Sequence, residues 1–309
     1  MNNPKVFIII LNFKGYADTA NCIKSLQKST YSNYEIILID NASTDDSPQL
    51  LLKTFPNIHF IQSKYNGGYA YGMNLGAKYA ISQKADYILY LNNDTEVEPD
   101  FLERLLERMT NDNEIGIVSP KVLYMHDKSK IYCAGGKIDY LLCGGVAEFQ
   151  GKPADSFGND DRGLTLAEGC CLLIKKEVFE EIGYMNEKYF MYFEDVDFSY
   201  NVKKKFAIKY AHDSIVYHKS GAGKSWSEYS PLYYYYYTRN RLWFFADFSL
   251  LYRLYVIIFS FLNTAAKTLI LEKNLIASGG KNERIKQSMK KLWKGFAEGL
   301  LLILKIREK

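Results

Sequence analysis

Four apolar runs of strand character, each leading into a helical stretch, fill the first hundred residues. "KVFIIILN" (5–12) is continuous and rich in β-branched residues, the pattern of a strand buried on both faces. A helical stretch follows over 17–29, with Ala20, Ile23 and Leu26 in core positions. "YEIILIDNAS" (34–43) reads as a second strand, "DDSPQLLLKTF" as a helix and "IHFIQ" as a third strand. "GGYAYGMNLGAKYAIS" opens on two glycines and continues as a helix, and "DYILYLNNDT" (86–95) is the fourth strand. "EPDFLERLLERM" carries Pro99 near a helix start and apolar residues at helical spacing. Such alternation predicts an α/β fold, a mostly parallel central sheet flanked by helices.

The stretch 115–165 is glycine-rich and its order is the hardest to read. "GCCLLIKKEVFEEIG" (169–183) predicts a strand and a short helix, "DFSYNVKKKF" a helix, and "IKYA" and "SIVYH" two short strands. From about 231 long helical patterns take over. "LLYRLYVIIFSFLNTAAKTLI" approaches the length of a membrane span, but Asn263, Thr264 and Lys267 interrupt it, which favours a buried or interfacial helix. In "RIKQSMKKLWKGFAEGLL" (284–301), Ile285, Met289, Leu292, Trp293, Phe296 and Leu300 follow helical spacing, with Lys286, Lys290, Lys291 and Lys294 largely between them. This basic amphipathic helix either docks on an anionic membrane surface or packs on the domain with its lysines in water.

Composition excludes several classes. A net charge of +4 is too small to argue for nucleic acid as a partner. Five cysteines without CxxC spacing argue against a zinc cluster or a disulfide framework, and point to a reduced, cytoplasmic compartment. The first residues lack the basic start and cleavage site of a signal peptide.

Ligands in open α/β sheets bind outside the carboxyl ends of the strands. Those ends carry Asn12, Asp40-Asn41, Asn66-Gly67-Gly68 and Asn92-Asn93-Asp94. Neither GxxxxGKS nor GxGxxG is present, so phosphates would need another counter-charge. A divalent Mg²⁺ or Mn²⁺ held by Asp94 meets that need. His218 and the arginines Arg239 and Arg241 are further groups able to meet a diphosphate, though each residue type also serves ordinary surfaces. The acidic residues of "YFMYFEDVDFSY" (189–200) are compatible with a helix cap, a metal site or a general base.

Taken together, "IIILNFKG", "ILIDNASTDDS", "NGGYAYGMNLG", "LYLNNDTEVEPDFL", "AEGCCLLIKKEVFEEIGYMNEKYFMYFEDVDFSY", "IVYHKSG" and "YYYYTRNRLWFF" resemble family 2 glycosyltransferases of the GT-A fold, in particular the rhamnosyltransferase-like branch. The match runs over about residues 5–245, in the family's order. The resemblance implies a Rossmann-like GT-A catalytic domain over 1–230, its nucleotide-binding half about 1–115 and its acceptor-side half about 116–230, and a C-terminal helical extension over 231–309. It implies an inverting, metal-dependent transfer of a sugar from a dTDP- or UDP-sugar donor to a glycan or lipid-linked acceptor in cell-surface polysaccharide synthesis, with rhamnose the preferred sugar. Asp40 would contact the nucleobase, Asn12 and Asn66-Gly67-Gly68 would line the nucleoside pocket, and Arg239 would meet the diphosphate. Asn92-Asn93-Asp94 stands at the family's DxD motif with its first Asp replaced, leaving Asp94 as metal ligand with His218. Asp195 takes the place of the general base and Glu194 its neighbour, Glu168-Gly169 lies near the sugar or acceptor, and Asp197 is structural. The enzyme would work in the cytoplasm, peripheral on the inner face of the cell membrane. A degenerate sugar-nucleotide or glycan-binding module and a nucleotidyltransferase are the rival readings. Retained Asp94, Asp195 and His218 oppose the first, and the lack of a basic glycine-rich loop at "LNFKGYADT" opposes the second.

Overall fold

In the computed structural model, which describes residues 3–219 and 229–305, β1 (Val6–Asn12) runs through the middle of a ten-stranded sheet. Val6, Ile8 and Ile10 enter one core while Phe7 and Ile9 enter the other. A strand covered on both faces requires such an unbroken apolar run, because neither pleat direction meets water. β2 (Tyr34–Asp40), β3 (His59–Gln62) and β4 (Tyr87–Asn92) lie parallel to it in the order β3-β2-β1-β4. The crossovers are α1 (Tyr16–Leu26), α2 (Ser47–Thr54) and α3 (Gly68–Ser82).

Beyond β4 the sheet becomes mixed. β5 (Thr95–Val97) and α4 (Phe101–Thr110) precede β6 (Ile115–Tyr124), whose ten residues are all buried. β7 (Ile131–Ala134) pairs with β6, and β8 (Gly136–Asp139) pairs with β9 (Gly144–Ala147). After the short β10 (Arg162–Leu164), β11 (Cys171–Lys175) inserts antiparallel between β4 and β6. α5 (Lys176–Glu181) and α6 (Glu194–Val202) lead to β12 (Ala207–His218), which pairs with β6, β5 and β10. "IKYA" and "SIVYH" are therefore one twelve-residue strand, with an irregular register between Ala211 and Ile215 that produced the gap in the sequence pattern.

Two compact units emerge. The sheet unit holds residues 3–138, Gly145–Lys188 and 194–219; the helical unit holds Asp139–Gly144, Tyr189–Phe193 and 229–305. The helical unit is built from α7 (Pro231–Phe244), α8 (Leu250–Ala277) and α9 (Glu283–Ile303). Of the two readings of the basic amphipathic helix, its burial supports packing within the helical unit. Most of the apolar face of α9 is covered: Ile285 and Leu292 share a buried cluster with Tyr234 and Leu271, and Phe296 is buried as well, while Trp293 stays exposed. Gly295 brings α9 so close to α7 that a Cβ there would stand 2.4 Å from the Tyr235 carbonyl oxygen. The exposed apolar surface belongs to α8 instead, at Leu251, Leu254, Ile258, Leu262 and Leu269.

Candidate active site

The parallel register puts the polar strand ends in one row, with Asn12 opposite Asp40 and Leu11 opposite Asn92. Asn12 is fully buried and acts as a brace. Its Nδ2 donates to Asp40 Oδ1 at 2.7 Å and to Ser47 Oγ at 3.0 Å, while its Oδ1 accepts from the Gly15 N–H and the Thr19 hydroxyl. Asp40, also fully buried, accepts from the Ser43 N–H and hydroxyl and from Gln62 Nε2. Their polar atoms hold the loop from beneath, since a buried amide facing a buried carboxylate satisfies both.

Asn41, named in this row but given no role by the sequence, links the second strand end to the glycine loop. Its side chain donates to Asn66 Oδ1 at 3.0 Å and to the Gly68 carbonyl at 3.1 Å, and accepts from the Gly67 N–H. It thereby fixes the Asn66-Gly67-Gly68 loop, where Gly68 has a φ of +87° that favours glycine. The loop is held at the sheet's edge because α3 lies against β1 through glycine. A Cβ at Gly72 would stand 2.2 Å from Leu11 Cδ1, and one at Gly76 2.5 Å from Ile9 Cγ2.

The Asn92-Asn93-Asp94 corner divides its work. Asn93 donates to Thr19 Oγ1 at 2.9 Å, inward onto α1, while Asn92 Oδ1 is buried without a partner among the described residues. Antiparallel pairing of β5 with β12 sets His218 opposite Thr95, which brings its Nε2 to 3.1 Å from Asp94 Oδ1. Burial opposes ionisation of Asp94, but the His218 hydrogen bond and charge outweigh it and hold the carboxyl below its usual value. His218 is buried, Tyr132 packs edge-on against its ring at 4.9 Å, and its Nδ1 has no partner among the described residues. A half-buried carboxylate oxygen beside an imidazole nitrogen is a donor set that fits Mn²⁺ or Mg²⁺, ions that leave their other positions to phosphate and water.

α6 begins at Glu194, so Asp195 sits in its first turn, where negative charge is favoured. Asp195 Oδ1 accepts from the Val196 N–H at 2.8 Å and Oδ2 from the Gly169 N–H at 3.1 Å. Burial raises its proton affinity and these N–H groups oppose the rise. Glu194 is buried, with Oε2 lacking a partner among the described residues, and Glu168 is half-buried nearby. Burial first, and then the charge of Asp195, holds both glutamates well above the carboxylate range. Three neighbouring acids cannot all ionise, and Asp195 is the one of them to which backbone N–H groups from two segments converge. Asp197 lies in the same helical turn and accepts from Asn201 Nδ2 at 3.4 Å.

Two hydrogen bonds join these features. The Asn92 N–H donates to the Cys170 carbonyl at 2.9 Å, and the Tyr69 hydroxyl to the Gly169 carbonyl at 2.6 Å. The Asp94 corner, the Asn66–Gly68 loop and the Asp195 carboxylate are thus tied to one short segment preceding β11. Arg239 belongs to the helical unit: it donates to the Tyr189 carbonyl and to Asn240 Oδ1 and stacks over the rings of Tyr235, Tyr236 and Trp243. Those donors hold the 189–193 segment, a structural task that the sequence did not reveal. The end of "IVYHKSG", at Ser220 and Gly221, lies outside the described residues.

Residues 7–183 match the family Glycosyl transferase family 2. The chain is 29% identical over 210 residues to the low-salt glycan biosynthesis hexosyltransferase of Haloferax volcanii, covering 64% of this chain and 61% of that protein. It is 26% identical over 194 residues to the N-acetylglucosaminyl-diphospho-decaprenol L-rhamnosyltransferase of Mycobacterium tuberculosis, covering 57% and 62%. The chain thus matches about three-fifths of the length of each of these relatives. Among solved structures, the mannosyltransferase PcManGT of Pyrobaculum calidifontis, in complex with GDP-Man and Mn²⁺, superposes with a TM-score of 0.60 at 13% identity, over 99% of this chain and 89% of that one. Residues 1–349 of TarS of S. aureus, in complex with UDP-GlcNAc, give 0.55 at 16%, over 96% and 81%. By the family match and the shared GT-A fold, this chain belongs to glycosyltransferase family 2.

Proposed function

We propose that the protein transfers a hexose from a nucleotide-diphosphate donor to a hydroxyl of a glycan or lipid-linked acceptor, with inversion at the anomeric carbon. The observation that carries the reading is the tie between the Asp94–His218 pair and the Asp195 carboxylate through the Gly169–Cys170 segment. A diphosphate-binding corner and a base held at fixed separation are what a single displacement needs. Asp195 removes the acceptor proton as the hydroxyl oxygen forms its bond to the anomeric carbon. The bond from that carbon to the diphosphate breaks, and its electron pair leaves with the nucleotide. No covalent protein intermediate forms. A divalent cation held by Asp94 and His218 would offset the charge of the leaving diphosphate. The loop at Asn66, Gly67 and Gly68 takes the nucleoside, shaped from below by Asn12, Asp40 and Asn41. Protonated Glu194 and Glu168 leave Asp195 as the carboxylate.

Rhamnose is the preferred sugar, supported by the Mycobacterium relative's name, with dTDP as its proposed carrier; the other reading is a UDP-linked hexose. We place the enzyme at the cytoplasmic face of the membrane, held by α8. Among the described residues α8 is the helix long and apolar enough to cross a bilayer. Yet α9 lies alongside it, with the Phe261 ring 6.0 Å from Trp293, and α9 carries exposed Lys286, Lys290 and Lys294. Lysines beside the helix favour an interfacial position on anionic lipid over a span. From 229 to 305, twelve Lys and Arg stand against four Asp and Glu.

Calorimetry with dTDP-, UDP- and GDP-sugars in Mg²⁺ or Mn²⁺, followed by transfer to lipid-linked acceptors, tests the reading. Donor binding without turnover on any acceptor would leave a binding module instead of an enzyme.

A further inference from the structure

Among the described residues, Asp195 receives two backbone N–H groups, and they do different work. The Val196 N–H belongs to α6 and moves with Asp195. The Gly169 N–H comes from outside the helix, so it alone of the two fixes the carboxylate against the rest of the sheet unit. Gly169 carries no side chain to hold its own peptide groups in place. Its carbonyl, however, accepts the Tyr69 hydroxyl at 2.6 Å, across 100 residues of sequence. Tyr69 stands in the first turn of α3, next to Gly68, on the helix whose glycines seat it against Leu11 and Ile9. Its phenol is therefore mounted on the rigid centre of the sheet. Burial, and then the charges of Glu194 and other neighbours, keep this hydroxyl protonated, so it remains a donor.

We propose that Tyr69 is a positioning residue for sugar transfer: its hydroxyl fixes the Gly169 segment and so aims the Gly169 N–H at the Asp195 carboxylate. The inference rests on the reading of Asp195 as the base. It adds a bond between the helix that starts at the nucleoside loop and the peptide that orients the base. The titratable groups facing Asp195 are Glu194 on its own helix, Glu168 and Cys170 on the segment before β11, and Tyr69 on α3. A Gly169 N–H aimed at Asp195 stabilises the charged form, so loosening it raises the pH at which the base is lost.

The test is Tyr69→Phe in the full chain, which keeps the ring and removes the hydroxyl. We expect kcat to fall about tenfold, the scale of one lost hydrogen bond. The acid limb of the kcat profile should move to higher pH, with donor affinity and Tm close to wild type. A folded Tyr69→Phe enzyme with wild-type kcat and acid limb overturns the inference while leaving Asp195 as base. Weakened donor binding with an unmoved limb also overturns it, since Tyr69 would then serve only the loop. Asp195→Asn is run in parallel: if that variant turns over normally, the base assignment fails, and the inference fails with it.

Discussion

Replacing Asp195 with Asn separates its chemistry from its shape. The side chain keeps its size, but an amide cannot take the acceptor proton. A positioned general base contributes about 10²–10⁴ in rate, or roughly 3–5 kcal/mol of barrier. The hydrogen bonds add a second, smaller effect. The carboxylate accepts from Val196 through one oxygen and from Gly169 through the other. An Asn offers one oxygen, so one of the two N–H groups must face an NH₂ and lose its acceptor. An unsatisfied buried donor costs about 1–3 kcal/mol, which predicts a modest fall in Tm. The nucleoside loop and the Asp94 corner do not touch the substituted atom through any described bond, so donor affinity should hold. The assay is transfer rate and donor titration on one preparation, with Tm recorded alongside. Turnover within about tenfold of wild type would refute the assignment, because a lost base must remove at least about a hundredfold.

Asp94→Ala should weaken donor binding by at least about tenfold and abolish its dependence on Mg²⁺ or Mn²⁺, as isothermal titration with and without chelator would show; full activity after exhaustive chelation would refute the metal and leave His218, Arg239 and Arg241 as the candidates for diphosphate stabilisation. Asn240→Asp should destabilise the helical unit by about 2–3 kcal/mol, because Asn240 Nδ2 donates to the carbonyls of Tyr189, Met191 and Tyr192 at 3.0, 2.9 and 2.8 Å and a carboxylate would face all three. Phe190, Tyr192 and Phe193 have φ of +66°, +65° and +73°, so this segment needs those bonds, and denaturant melts of the variant should show the loss. Changing Leu251, Ile258 and Leu262 to Gln should release the protein from anionic vesicles by more than about a hundredfold, at roughly 1 kcal/mol or more for each exposed side chain that no longer enters lipid. Co-sedimentation measures this, and a wild-type dimer that binds no vesicles would assign the α8 face to a second copy.

The parallel half of the fold was legible because its signals are local. β1 is apolar from Val6 to Leu11, and the helices between the first four strands start after Gly15, Asp46 and Gly67, residues that favour helix starts and turns. Asp94 stood out for the same reason, as an acid at a strand end, whereas Asp195 was set apart from Glu194 and Asp197 by the family resemblance. The sequence lost sight of whatever depends on distant pairing. The family resemblance, not any local pattern, set His218 with Asp94; what stayed hidden was the means, the register of β5 against β12 that closes 124 residues of sequence and the packing of α3 on β1 that lets Asn41 bond to Asn66. Asn12 and Asp40 illustrate a second limit. A polar residue at the mouth of a crevice and one bracing it from beneath have the same composition and the same position in a motif. Only burial separates them, and burial is a property of the whole fold. The α9 helix shows the same limit on apolar residues: its face has the spacing of a membrane-surface helix, and α7 covers it because Gly295 and Gly299 admit the backbone of the neighbouring helix. Two glycines four residues apart on the apolar side were the readable sign that another helix, not lipid, lay against it, since close helix contact needs small residues and a bilayer does not.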